Sequence, residues 1–500
     1  MTSKVSGMLS EQLHPVLQEH MLRPDLEREF PAVLPLIVQI NKAHLLMLGA
    51  QGILSPDASK SLAAAILDLE AEGVDAFELD PAREESYFNY EAELIRRSGS
   101  AVGGVLHTAR SRNDLYATMD RIRARALAGD VLGGLLDLRR ALIERADAYA
   151  DVLMPGYSHL QPAQPITYGY FLAGFAHALE RDHARIAKCW ARINVCPLGA
   201  GALAGTSFPI DREATARWLG FDAAGAHAQD DIAARDFLVE LLNGVGLAAI
   251  SWSRMAQDMF VMTTYEFGTL ELPDSIAQTS SMMPQKKNMS ALEVLRGSAA
   301  PVLGAQATAA AGLRSTHYSV GLDSLIEPFR WCWDALKGAR RNIAVATLVV
   351  ENARPRRERM MDLVRSSFAT ATELADMLVR EAGLSFRDAH HVVGAVVRAA
   401  LDRDLTADRI DAGLVAEAAE RSLGRPVAID PDRVAEALSP AQAVDARQGS
   451  GGPSRSDMER MLQGLRERHA ADAAECEARL SSVRAADRAR EAAFRDLAGR

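Results

Sequence analysis

FLVELLNGVGLAAISWSRMAQDMFVM, residues 237–262, carries apolar side chains at helical spacing: Phe237, Leu241, Val245, Ala248, Trp252, Met255, Met259 and Met262 recur at steps of three and four. That is the stripe of a helix packed along one face. The stretch lies in a proline-free segment from Ile210 to Leu272, and two more such segments run from Ala82 to Met154 and from Arg356 to Arg425. Proline inside a helix removes a hydrogen bond and clashes with the preceding turn, so each segment has room for one or more long helices. Leu127, Val131, Leu135, Leu138 and Leu142 repeat the stripe in the first segment, and both stripes match the seam of a helical bundle. Runs of β-branched residues with period-two alternation are few, and no Asn-Gly or Asp-Gly hairpin joins them, so the fold class expected is all-α.

A chain of 500 residues makes two to four domains at about 100 to 200 residues each. Boundaries are expected near Asn113, where a polar loop gives way to a long helix, and near Arg365, where another amphipathic segment begins. The units are then 1–113, 114–365 and 366–500. Beyond Pro453 the chain is rich in Arg, Glu, Asp and Ala and reads as a solvated helix or two.

The composition, 48% hydrophobic and 24% charged, is that of a soluble globular protein. A net charge of −10 leaves no broad electrostatic footprint for nucleic acid or an anionic membrane, so an anionic ligand must be held by local cations. Cys189, Cys196, Cys332 and Cys476 show no CxxC spacing, which argues against a zinc site or redox dithiol and fits a reducing compartment. The opening MTSKVSGMLSEQLHP lacks the apolar core of a signal peptide, and no run of about 18 uninterrupted apolar residues suggests a membrane span; a cytoplasmic location is expected. There is no P-loop, no HExxH pattern, and Gly199, Gly201 and Gly205 do not make GxGxxG after a strand, so neither metal nor cofactor is expected.

Three polar segments interrupt the helical background. The first, His107-Thr-Ala-Arg-Ser-Arg-Asn-Asp114, precedes a long helix whose free N–H groups and positive dipole end favour anions. There Arg112 could fork onto a carboxylate with Asn113 beside it, or Asn113 or Asp114 could simply cap the helix while the arginines are solvated or paired. The second, Pro155-Gly-Tyr-Ser-His-Leu-Gln-Pro-Ala-Gln-Pro165, is too proline-punctuated to be helical and reads as a rigid loop presenting His159, a group able to act near neutral pH. A satisfied structural histidine is the blander reading. The third is Thr279-Ser-Ser-Met-Met-Pro-Gln-Lys-Lys-Asn288. A serine is a poor base unless cations or dipoles favour its alkoxide, and Lys286 with nearby backbone donors could supply them. Against this stands a solvated loop, and in either case Ser290 and Glu293 are expected to form an S-x-x-E capping box.

Together these segments resemble the argininosuccinate lyase branch of the fumarase/aspartase superfamily, whose signature loop is usually written GSSxMPxKxN. The likeness extends to PLGAGALAGTSFPIDRE, to Arg235-Asp236-Phe237 and to SFATATELADMLVREAGLSFRDAHHVVG, covering about Asn89 to Leu462. The resemblance implies a three-domain, nearly all-helical subunit whose central helices join a tetrameric bundle, with each site shared between subunits and no cofactor. It makes Ser280 the base and His159 a proton-handling partner at the leaving nitrogen. Lys286, Asn288, Ser158, Ser281 and Met283 would surround the carboxylate that accumulates charge, while Ser111, Arg112, Asn113 and Tyr318 would bind the rest of a small dicarboxylate or aminopolycarboxylate substrate, Arg112 and Asn113 anchoring the other end of the succinyl group or the first part of the amine. The segment from Ser275 to Ser281 is expected to close over it.

Several positions depart from the argininosuccinate pattern. Where the family has Q-x-D-K-E-P, Asp323, Leu325 and Ile326 precede Glu327-Pro328; the NPD after the signature lysines is Asn288-Met289-Ser290; and D-x-x-G-S-x-A-H becomes Ile37-Val38-Gln39-Ile40-Asn41-Lys42-Ala43-His44. The signature glycine is Thr279, and the threonine before the site histidine is Ser158. A guanidinium buried beside Leu325 and Ile326 would be costly, so a different amine is expected. The chain as a whole resembles the relatives in that branch that act on ethylenediamine-N,N'-disuccinate, an aminopolycarboxylate. Ser290 and Val320, small or apolar, are the expected amine-pocket positions. Argininosuccinate cleavage is the alternative activity, and a non-catalytic crystallin-like role is the alternative from another class.

Overall fold

The computed structural model describes Met8 and residues 11–500. The opening stretch read for a signal peptide lies largely outside them. Helices dominate, and the Asp236–Met262 helix buries all eight stripe residues, Phe237 to Met262, in the largest apolar cluster. Around it pack Arg112–Ala148, Tyr168–Ile193, Ala299–Leu313 and Cys332–Asn352, whose apolar faces join the same core. Val131, Leu135, Leu138 and Leu142 lie there with Leu127, so the second stripe also faces inward.

A second core is built by Arg23–Ala50, Pro56–Glu72 and Ser86–Ser98. A third is confined to Leu374 through Leu438. The chain closes with one helix, Arg455–Ala498, of 44 residues. It is less solvated than its composition suggested: Met458, Leu462, Leu465 and Cys476 enter the central core, and Phe494 and Ala498 enter the N-terminal one. Arg139, buried, reaches Asp472 on this helix at 2.6 Å, and buried Lys42 is paired with Glu70 and Glu491. The last helix therefore lies against the first two cores, apart from the 374–438 cluster with which the sequence reading grouped it.

Proline proved a weaker guide than expected. Pro31 and Pro35 lie inside the Arg23–Ala50 helix. Both are exposed and four residues apart, so the carbonyls they deprive of donors, those of Glu27 and Pro31, share the solvent face where water can satisfy them. The same region holds one helix that is long and apolar enough to cross a bilayer, although polar residues such as Gln39, Asn41 and Lys42 interrupt it. A window within Pro15–Ala50 reaches a mean hydropathy of 1.4, but 67% of it is buried inside the protein, so its apolarity is accounted for by the N-terminal core.

Hairpins, which the sequence did not signal, are present. Leu153–Ser158 pairs antiparallel with Gln161–Thr167, and Gln278–Thr279 with Lys287–Asn288. Each ends in a segment singled out for chemistry.

Candidate active site

The signature segment is the tip of the second hairpin. Gln278 faces Asn288 and Thr279 faces Lys287. Side chains directly opposite in an antiparallel pair share a face and successive ones alternate, so Gln278 and Asn288 share one face of the ribbon and Thr279 and Lys287 the other, while Ser280 and Lys286 lie just beyond the paired residues, at the tip. The two lysines behave accordingly. Lys287 Nζ donates to the Leu272 carbonyl at 2.6 Å and pairs with Asp274 at 2.8 Å, pinning the hairpin to the preceding strand. Lys286 is exposed and, among the described residues, makes no side-chain hydrogen bond or ion pair.

Ser280 is half-buried, and its Oγ accepts from the backbone N–H of Met283 at 3.0 Å and of Met282 at 3.3 Å. Two amide dipoles thus point at the oxygen, the arrangement that favours its deprotonated form. Ser281 is exposed and Met283 half-buried. The expected capping box is absent. Met289 holds the N-cap position of Ser290–Gly297 with no side-chain cap, so Ser290 is already helical and cannot reach the amide it would need.

His159 and Leu160 form the tip of the first hairpin, with φ of 55° and 57°. Positive φ at both central residues is the type I′ turn, which the sequence concealed because Asn-Gly, its usual signal, is replaced by His-Leu. The stretch is therefore a two-stranded ribbon instead of an irregular loop. Its base is fastened by Arg357 to Asp151, and next to the tip the Tyr157 and Phe267 rings lie 6.0 Å apart. At the exposed tip Ser158 Oγ lies 3.2 Å from His159 Nδ1.

At the start of the Arg112–Ala148 helix the cap is Ser111, instead of Asn113 or Asp114 as expected, and Asp114 closes the capping box. Arg112, 46% exposed, is paired with Glu84 and Glu85 at 3.1 and 3.0 Å. Asn113 donates to the Ala202 carbonyl at 3.2 Å. The sequence reading offered Asp114 only as a possible cap. It is buried, and its carboxylate accepts from the amides of Ser111, Gly199 and Gly201 at 3.1, 2.9 and 2.9 Å. Burial pushes its pKa up to about 6, against the pull of those amides and Arg110. The glycines are required: Gly199 and Gly201 have φ of +90° and +62°, and a Cβ on Gly201 would lie 2.5 Å from the Gly205 carbonyl oxygen.

Tyr318, 63% exposed, gives its hydroxyl to Asp230, which pushes the phenol up to about 12, and its carbonyl accepts from Gln229. Val320 is half-buried and Ile326 is 39% exposed, so Ile326 is no buried wall in a single protomer. The side chain of Leu325 lies outside the described residues. The departures at 37–44 have another meaning than the one expected. Asn41, Lys42 and His44 are buried in the N-terminal unit, where Arg110 donates to Asn41 and His44 Nε2 lies 3.0 Å from the Thr108 carbonyl. Asn41 and His44 support the turn before Ser111 from behind, while Lys42 is paired with Glu70 and Glu491, which removes all three as witnesses to the amine.

Among the described residues, no hydrogen bond or ion pair joins the 111–114, 158–159 and 280–288 segments to one another within the chain. A cavity of about 540 Å³ lined by Ile166, Tyr170, Phe171, Phe175, Ser251 and Arg254 includes none of the candidate residues.

A lyase family model matches residues 17–304, and a model of the argininosuccinate lyase C-terminal region matches residues 368–445. Argininosuccinate lyase 1 of Shouchella clausii (strain KSM-K16) is 36% identical over 472 residues, covering 94% of each chain. The crystal structure of EDDS lyase in complex with formate superposes with a TM-score of 0.88 at 30% identity, covering 98% of this chain and 97% of that one. A doubly substituted EDDS lyase with bound fumarate superposes with a TM-score of 0.87 at the same identity and coverage. With the helical architecture and these matches along its length, the chain belongs to the argininosuccinate lyase branch of the fumarase/aspartase superfamily and is a carbon–nitrogen lyase.

Proposed function

We propose that the protein releases fumarate from an N-substituted aspartate, with ethylenediamine-N,N'-disuccinate as the substrate that fits best. The products would be fumarate and N-(2-aminoethyl)aspartate, and amine addition to fumarate would be the reverse reaction. The observation that carries this reading is Ser280: its Oγ is held by the Met282 and Met283 amides at the tip of the hairpin that also carries Lys286 and Asn288.

The chemistry gives each group a task. Ser280, as alkoxide, takes the proton from the carbon next to a substrate carboxylate. The electron pair left behind moves into that carboxylate, building a doubly charged aci-carboxylate, which is reachable only if fixed donors already surround it. Lys286, Asn288, Ser158 and Ser281 are those donors in this proposal, with Met283 beside them, and closure of 275–281 would exclude water from them. Collapse of the intermediate expels the amine, with His159 assisting protonation of the departing nitrogen. Ser111, Arg112 and Asn113 hold the far carboxylate. Arg112 must then exchange its partners Glu84 and Glu85 for substrate, or serve by holding Asn113 in place.

Argininosuccinate is the second reading, favoured by one observation: the argininosuccinate lyase of Shouchella clausii is 36% identical, against 30% for EDDS lyase. Against it stand Leu325 and Ile326 in the segment where the branch usually has polar groups. Following fumarate by its ultraviolet absorbance separates the two. Faster release from ethylenediamine-N,N'-disuccinate than from argininosuccinate is expected, and the opposite order would return the chain to arginine.

A further inference from the structure

Asp230 and Asp231 are neighbours on the short Ala228–Ala233 helix, and their carboxylates are used in opposite directions. Exposed Asp230 accepts the Tyr318 hydroxyl, while Gln229 beside it donates to the Tyr318 carbonyl at 2.8 Å. Buried Asp231 accepts from Arg212 Nη2 at 2.6 Å. The same guanidinium donates to the carbonyls of Leu198 at 3.1 Å and Pro197 at 3.4 Å. The next residues of that loop, Gly199 and Gly201, give their amides to Asp114, and Asn113 donates to Ala202. An unbroken path of bonds therefore joins Tyr318 to the start of the Arg112–Ala148 helix.

The path is close-packed as well as bonded. A Cβ on Gly225 would lie 1.8 Å from Asp231 Oδ1, and one on Gly199 would lie 2.8 Å from Arg212 Cγ. Neither contact leaves room for the brace to slide, and packed interiors transmit displacement instead of absorbing it. The outer end is different: Asp230 and Tyr318 are exposed, so that bond can be changed without disturbing the core.

We propose that Asp230 is a positioning residue for the amine half of the substrate: it fixes Tyr318 in a frame that Asp231, Arg212 and the 197–202 loop tie rigidly to the carboxylate-binding residues 111–113. This rests on the reading that Tyr318 belongs to the substrate site. The distance between the two ends of the substrate is then set within one protomer by groups that need not touch it.

The test is amine addition to fumarate by the whole protein, using whichever of ethylenediamine and arginine it adds faster, with the KM of each reactant measured separately. Asp230→Ala, which removes the acceptor, is expected to raise the amine KM about three- to tenfold, the range for losing one hydrogen bond at a partly solvated position. The fumarate KM and kcat should stay within about twofold. Tyr318→Phe should raise the amine KM at least as much, and the double variant should be no worse than the poorer single one, because both remove one interaction. Asp230→Glu, which keeps the acceptor, should recover part of the loss. Full additivity in the double variant, or equal shifts in both KM values, overturns the proposal. If Tyr318→Phe raises the amine KM and Asp230→Ala does not, the inference fails while the site reading survives. If Tyr318→Phe is silent, the assignment of Tyr318 to the site fails and the inference with it.

Discussion

At the scale of single residues, Asp114 carries the cost of being a buried carboxylate. Three amides favour its charge, yet desolvation wins and raises its pKa from 3.8 to about 6. The folded chain therefore keeps this proton over a range where the unfolded chain has lost it. Stability attributable to Asp114 falls as pH rises from 3.8 to about 6, by about 3 kcal/mol, and is unchanged outside that window. Urea unfolding of the protein and of Asp114→Asn at pH 4, 5 and 7 should show the difference between them changing in that direction. A difference independent of pH would contradict the account. Nothing in the sequence pointed to this residue as a brace, since its glycine partners lie 85 and 87 positions away and no periodicity connects them. The signature serine was legible because its chemistry is local: Ser280, the amides that reach it and Lys286 span seven consecutive residues.

At the scale of elements, one short ribbon gives two adjacent lysines different surroundings. Lys286→Ala should lower kcat/KM by about 100-fold while leaving hydrogen exchange across 278–288 as it was. Lys287→Ala should speed exchange there, because the tie to Leu272 and Asp274 is lost. An exchange of these two outcomes would show that the two lysines are assigned the wrong way round. The long helices were legible, since the 237–262 stripe is buried as its spacing requires. The hairpins were not. A His-Leu turn at positive φ is held by the ribbon and the helix beneath it, which no two-residue pattern reveals. The N-terminal helix was hidden for a related reason: its prolines are tolerated because they face water, and exposure is a tertiary property.

At the scale of the molecule, the three chemical segments belong to one chain without being bonded to one another in it, and the family resemblance supplies a reason, a site assembled from several copies. If Ser280 and His159 meet across a subunit boundary, two dead variants should complement each other. Mixing Ser280→Ala with His159→Asn under subunit exchange should recover about a quarter of native activity, the share of sites drawing both intact groups under random pairing. No recovery would put both groups in one protomer. The most direct test remains the hydroxyl itself. Fumarate release by Ser280→Ala, measured beside its thermal unfolding midpoint, is predicted to fall by at least about three orders of magnitude with the midpoint unchanged. Turnover within about tenfold of the native protein would contradict Ser280 as the base.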